Sequence, residues 1–239
     1  DPAVINAILG EFLAAASLLS ATLKFKGIVS IQAIGRGAIT SLMAECTNNS
    51  QLRGIVRGDY QSINNNETFK SLLGGATLAI TIEPEGRERY QGLVPIDKDS
   101  LSECLEHYFA QSEQLSTKIK LAANQTTAAG ILIQEMPHNS EDEQTEETWQ
   151  HLSLLLESLK ADEQLELEHE QQLYRLFHEQ QVRLFDPEAL QFFCSCSKAR
   201  TAKFHVINST IGLKPFIAEP VAIPAKPNSE IGVSITLFS

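Results

Sequence analysis

Residues 3–34 read AVINAILGEFLAAASLLSATLKFKGIVSIQAI, and the change of rhythm inside that stretch decides the fold class. Over 3–24 the apolar positions recur at helical spacing. Val4, Ile8, Phe12 and Leu19 fall near one face, and Ile5, Leu9, Leu13 and Ala16 widen the stripe. After Gly27 the run Ile28-Val29-Ser30-Ile31-Gln32-Ala33-Ile34 predicts a strand. The first segment is nearly long enough to span a bilayer. Asn6, Glu11 and several hydroxyl residues, with no basic start and no cleavage signal, instead predict a buried core helix.

Working outward, Gly35-Arg36-Gly37 turns the first strand. It lacks the third glycine and the downstream acid of a dinucleotide site, so it reads as a plain turn. Residues 38–46 fit a short helix or strand, 52–56 a second strand, and the Asn-rich 58–68 a loop. Thr77-Leu78-Ala79-Ile80-Thr81-Ile82 alternates as a strand, Pro84-Glu85-Gly86 turns, and 89–96 returns as its partner. Leu101, Leu105 and Phe109 are spaced as on a helix over 99–114, with Asp97, Asp99 and Glu103 placed to cap its start. Two further strands are predicted at 117–122 and 128–135. The reading is an α+β fold, a mixed or antiparallel sheet packed with helices, over residues 1–139.

The character changes after Pro137. From Glu141 to Glu188 there are 14 acidic residues against Lys160, Arg175 and Arg183, so this segment alone carries the −11 of the whole chain. Within it, 145–160 and 162–178 are helix-patterned by Leu152, Leu155, Leu156 and Leu159, then Leu165, Leu173, Leu176 and Phe177. Dense acids weaken such helices by self-repulsion, while the leucines still offer an apolar stripe. A solvated helical hairpin and a marginally stable, releasable linker over 140–193 both fit this pattern.

The chain has 239 residues, 43% of them hydrophobic, enough to bury a core. Its acidity argues against general affinity for nucleic acid or anionic membrane, because phosphate binding needs clustered Lys and Arg. No Ser-His-Asp order, phosphate loop or His-x-x-x-His signature appears. His107 and Tyr108 lie beside Cys104, but their spacing shows neither an activated thiol nor a base aimed at it. Cys46 and Cys104 read as buried structural thiols. Four cysteines, unevenly spread, suit a reducing cytoplasm better than a secreted disulfide scaffold. The remaining pair, Cys194-Ser195-Cys196, can ligate a soft metal, form a disulfide, or be two ordinary buried thiols.

Several motifs together resemble one family. Ala15-Ala16-Ser17-Leu18-Leu19-Ser20-Ala21-Thr22-Leu23-Lys24-Phe25-Lys26-Gly27 is followed in order by Leu52-Arg53-Gly54-Ile55-Val56, Glu88-Arg89-Tyr90-Gln91-Gly92 and Cys104-Leu105-Glu106-His107-Tyr108-Phe109 with Ser112-Glu113-Gln114-Leu115. Then come Ala129-Gly130-Ile131-Leu132-Ile133-Gln134 with Met136-Pro137, Leu173-Tyr174-Arg175-Leu176-Phe177-His178-Glu179, and Phe193-Cys194-Ser195-Cys196-Ser197. Over residues 3–202 the chain resembles the heat shock protein 33 family, the redox-regulated bacterial holdase chaperones. The resemblance implies a core domain, a metastable helical linker and a C-terminal zinc switch. Four thiolates, from a Cys-x-Cys and a later Cys-x-x-Cys, hold zinc in reduced members. Oxidation makes two disulfides, releases the metal and exposes apolar surface to unfolding clients. Cys194 and Cys196 match the first pair, as zinc ligands and as redox switch, and 140–193 matches the linker. The resemblance also implies no catalytic residues, unfolded clients as partners, and a homodimer that is domain-swapped or formed on activation.

The chain departs from the pattern at both ends. The family carries a further strand and helix before the position of Asp1. Past Ala202 the resemblance stops, and the second pair, due about thirty residues beyond Cys196, falls on Ile-Pro-Ala-Lys-Pro-Asn at 223–228. The tail has no cysteine and the look of foreign sequence, from a frameshift or a fusion. Residues 194–239 are therefore expected to hold an incomplete switch, with His205 a weak third donor. A thiol–disulfide oxidoreductase using the Cys-x-Cys pair is the alternative: its small strained ring is oxidising, but a thioredoxin-like βαβ setting is lacking.

Overall fold

The computed structural model describes residues 2–23, 26–59, 63, 67–135, 143–180, 189–193 and 233–238. Helix α1 (Ala3–Thr22) precedes a meander of β1 (Gly27–Ile34), β2 (Ile39–Thr47) and β3 (Gln51–Gly58). Short α2 (Phe69–Leu73) leads to the hairpin β4 (Thr77–Pro84) and β5 (Tyr90–Pro95), then α3 (Leu101–Tyr108). A second hairpin, β6 (Thr117–Ala123) and β7 (Ala128–Glu135), is followed by α4 (Glu143–Glu157), α5 (Ala161–Glu166) and α6 (His169–Phe177). Two late strands close the chain, β8 (Gln191–Phe192) and β9 (Val233–Phe238).

The α+β expectation holds, but the strands form two sheets. One is six-stranded in the order β5-β4-β1-β2-β3-β8, and the other three-stranded in the order β6-β7-β9. All pairs are antiparallel except β3–β8. The register stacks apolar rows on one face of the larger sheet. Ile31 lies between Ala44 and Ile80, and Ala33 between Leu42 and Leu78, all buried.

Helix α1 packs on β1, β2 and β3 on one side and on β6 and β7 on the other. This explains a sequence apolar on nearly every side: a helix caught between two sheets has little solvent face. Ile5, Leu9, Phe12, Ala14, Ala16 and Leu18 are all buried. The helix has the length and composition of a membrane span, yet most of it forms the core of this fold. Close approach demands small residues on both flanks. A Cβ at Gly10 would come within 2.7 Å of Ala123 Cβ, and one at Gly54 of β3 within 2.9 Å of Leu9 and Leu13.

Local chemistry sets the ends. Ser100 and Glu103 form a reciprocal capping box at the start of α3, as the acidic cluster predicted. The helix is shorter than the predicted 99–114 because it widens into a π turn over Phe109–Glu113, closed by Gln114 at φ +55°. Helix α2 is too short for periodicity to announce. Thr68 caps it, and its Leu73 carbonyl accepts from the N–H groups of Arg36 and Gly37, so the Gly-Arg-Gly turn docks on a helix end. Residues 38–46 resolve as strand β2. The predicted helix over 162–178 is two helices, broken at Leu167, which has extended backbone. Gln172 spans the break: its Nε2 donates to the carbonyls of Gln164 and Leu167 at 3.0 and 2.7 Å and ties α6 back to α5.

Candidate functional site

Strand β7 is buried on both faces. Leu132 joins the main core with α1, while Ile131 and Ile133 point the other way and seed a second apolar cluster. The acidic helices supply the rest of that cluster: Leu152, Leu156 and Leu159, then Leu173, Leu176 and Phe177, with Trp149 and Leu155 at its margin. The leucines that patterned the linker in the sequence are thus the residues that hold it down on β7. Leu154 and Tyr174 of the same helices are exposed.

Polar contacts clasp the layer at its edge with β6. Lys118 Nζ lies 3.5 Å from Glu106 of α3 and 3.2 Å from Glu157 at the end of α4. Lys120 Nζ donates to the Glu157 carbonyl at 3.0 Å, a cation on a helix C-terminus. Buried Gln164 donates through Nε2 to the Lys120 carbonyl at 2.9 Å. Arg175 joins α6 to α5 through Glu163 at 2.7 Å. Burial pushes the Glu106 carboxyl up, and the Ile119 N–H and Lys118 pull it partly back. Burial pushes the Lys118 ammonium down, but Glu106 and Glu157 outweigh it and hold it above its usual value. These contacts are few, and the surface pairs among them are weak. Across residues 141–188 acids outnumber basic residues by 14 to three, so the charge of this layer is largely of one sign.

Cys194 and Cys196 lie outside the described residues, as do His205 and the 223–228 stretch. The chain is pinned up to their doorstep: Leu190 is buried in the main core, Gln191–Phe192 pairs with β3, and Phe193 N–H donates to the Leu52 carbonyl at 3.2 Å. Cys46 and Cys104 are buried in the core, as read from the sequence. Burial pushes the Cys104 thiol up, the opposite of what a nucleophile needs. A structural zinc site requires four ligands, and these two thiols are locked inside the core. Of the four cysteines in the sequence, Cys194 and Cys196 are the two left as candidate thiolate donors. Among the described residues no group of three or more His, Cys, Asp or Glu is placed to hold a metal ion.

Sequence reasoning found the helices of this layer but missed its receptor, Ile131 and Ile133. The signal was present: the unbroken apolar run of β7 is what a strand buried on both faces looks like. The glutamine clasps carried no signal, because polar side chains in an acidic segment read as solvent-facing.

Comparison with known proteins places this architecture. The Hsp33 protein family matches residues 1–206. The 33 kDa chaperonin of Ectopseudomonas mendocina is 45% identical over 203 residues, covering 84% of this chain and 69% of that protein. That of Shewanella sediminis is 46% identical over 222 residues, 91% of this chain and 75% of that protein. The crystal structure of the 33 kDa chaperonin (heat shock protein 33 homolog) from Thermotoga maritima superposes with a TM-score of 0.70 at 21% identity, covering 83% of this chain and 70% of that one, and shows the same fold. The chain belongs to the Hsp33 family, a family of chaperones.

Proposed function

We propose that this Hsp33-family chain is an ATP-independent holdase that keeps unfolding proteins from aggregating in the bacterial cytoplasm. One observation carries the reading. A strip of apolar β7 surface is covered, among the described residues, by a layer of acidic helices that precedes the Cys-x-Cys segment in the chain. When α4–α6 lift away, Ile131 and Ile133 and the leucines that covered them become a continuous apolar patch, the kind of surface an unfolding chain can share. The layer needs little free energy to release, because its few contacts put it at the low-stability end of the molecule.

Redox control is part of the proposal. Reduced Cys194 and Cys196 would bind zinc as thiolates, and a peroxide would take two electrons from the pair to make a disulfide and expel the metal. With two thiolates per chain, zinc is held weakly or by bridging two chains. The restraint on the linker is then slight, and a dimer, domain-swapped or formed on activation, is part of the same reading.

The test is light scattering from a heat-unfolded client, with and without peroxide. The expected result is suppression of aggregation near stoichiometric ratio without oxidant. Inactivity in the reduced state followed by strong activation on oxidation would overturn the unrestrained linker. Catalytic turnover of a model disulfide would instead favour a thiol–disulfide oxidoreductase.

A further inference from the structure

The layer α4–α6 is a latch over β7, and three of its polar ties to β6 meet at one place, the corner where α4 gives way to α5. Lys118 Nζ lies 3.2 Å from the Glu157 carboxylate, Lys120 Nζ donates to the Glu157 main-chain carbonyl at 3.0 Å, and Gln164 Nε2 donates to the Lys120 carbonyl at 2.9 Å. Two alternate positions of one strand therefore hold both sides of the corner. The corner is braced internally as well. Ser158 Oγ donates to the Leu155 carbonyl at 2.6 Å, Glu163 Oε2 accepts the Lys160 N–H at 3.2 Å, and Leu159 is buried. Helix α6 is held at one remove: Arg175 reaches Glu163, and Gln172 reaches the Gln164 and Leu167 carbonyls, so these ties end on α5 and the bend rather than on a strand.

The charges at the corner run against the helix. Glu157 is an acid in the last turn of α4, a turn without a basic residue, where the negative end of the helix dipole disfavours it. The compensating charge comes from the core. Lys118 is shared with Glu106 of α3 at 3.5 Å, and these two side chains are only 33% and 23% exposed, so salt screens the network less than an open surface pair. An isolated exposed pair contributes little. Here one cation answers two carboxylates and a second answers the helix end, so loss of both leaves negative charge unbalanced at the joint. Apolar burial is non-directional: it holds the layer against β7 without choosing where the layer bends. The lysine ties are directional and choose.

We propose that Lys118 and Lys120 are the hinge pin of the latch: the α4–α5 corner stays fastened to β6 while α6 and the N-terminal half of α4 lift from Ile131 and Ile133. The pin stands on contacts within the fold. That lifting admits an unfolding client rests on the holdase reading.

The test is amide exchange of the full chain, read by mass spectrometry. In the parent, amides of 146–151 and 169–177 should exchange at least tenfold faster than those of 155–166. Lys118→Met with Lys120→Met is expected to speed exchange at 155–166 at least tenfold and abolish that difference, while β1–β4 keep their protection. Glu157→Gln, which removes the carboxylate but leaves its carbonyl to Lys120, should fall between parent and double variant. Added to Lys118→Met it should change little further, because the two substitutions remove one shared contact. Uniform exchange across 146–177 in the parent, or an unchanged corner in the double variant, would overturn the proposal. So would an equal loss of protection in β1–β4, which would make the lysines part of the core's stability rather than a pin. Suppression of client aggregation by the same variants tests the other reading. A freed corner with unchanged suppression would uphold the pin and sink the holdase reading; raised suppression with an unchanged corner would do the reverse.

Discussion

Glu11 is the residue most out of place in this fold. It sits partly buried on α1 between buried Gly10 and Phe12, and desolvation raises its carboxyl pKa to about 7. In the unfolded chain the group titrates near 4.5. Between those values the folded state holds the extra proton, so stability is greatest at low pH, falls as pH rises through about 7, and is level above. The difference corresponds to about 3 kcal/mol at most, or roughly 6–12 °C in Tm for a domain of this size. Glu11→Gln is expected to remove that slope, leaving the variant more stable than the parent at pH 8 and nearly equal at pH 4.5. Thermal unfolding at the two pH values reads the difference directly. Parallel pH profiles for parent and variant would show that Glu11 is solvated. The sequence pointed to Glu11 only as a mark against a membrane span; burial on a helix between two sheets is a tertiary fact that no local pattern contains. Cys46 and Cys104 were legible for the converse reason, since each sits in an apolar periodic setting that already implies burial.

At the scale of elements, the layer formed by α4, α5 and α6 is the part on whose stability the proposed holdase activity would turn. Removing three carbons from a buried leucine costs about 2–5 kcal/mol when the surroundings stay rigid. A layer with few polar clasps does not have that much to lose, so it opens instead. Leu156→Ala and Leu173→Ala, both at cluster positions facing β7, are therefore expected to leave the melting of the core nearly unchanged. In the same variants the α4–α6 amides should exchange at least tenfold faster, and client suppression should rise. Amide exchange beside calorimetry separates this from ordinary core damage. A matching fall in core stability would mean that latch and core unfold as one unit. The helices themselves were legible because their leucine spacing survives a dense acidic background. The break between α5 and α6 was not: Gln172, which spans it by reaching back two turns, carries no such signal. Strand β8, two residues long, is too short to carry period-two evidence; β9 alternates Val233, Ile235 and Leu237 with Ser234 and Thr236, but it falls in the tail that reads as foreign sequence.

For the molecule as a whole, the question is what couples the thiols to the latch. The main core already buries Leu190, and β3 fixes the backbone as far as Phe193, so the segment between the latch and Cys194 is anchored independently of any metal. A zinc ion completing four thiolates past that anchor could transmit folding free energy back along the chain. Two thiolates cannot close the coordination sphere, and the other two cysteines are sealed in the core. Regulation by metal should then be weak in these 239 residues, and client binding should depend on the latch rather than on the thiols. Cys194→Ser with Cys196→Ser is expected to suppress client aggregation as well as the parent chain does, within about twofold, a difference under 0.5 kcal/mol. Native mass spectrometry of the parent should find well under one zinc per monomer. Tight zinc at one per monomer, or a double-serine variant that loses activity, would show that the two cysteines still govern the latch through a donor outside the described residues.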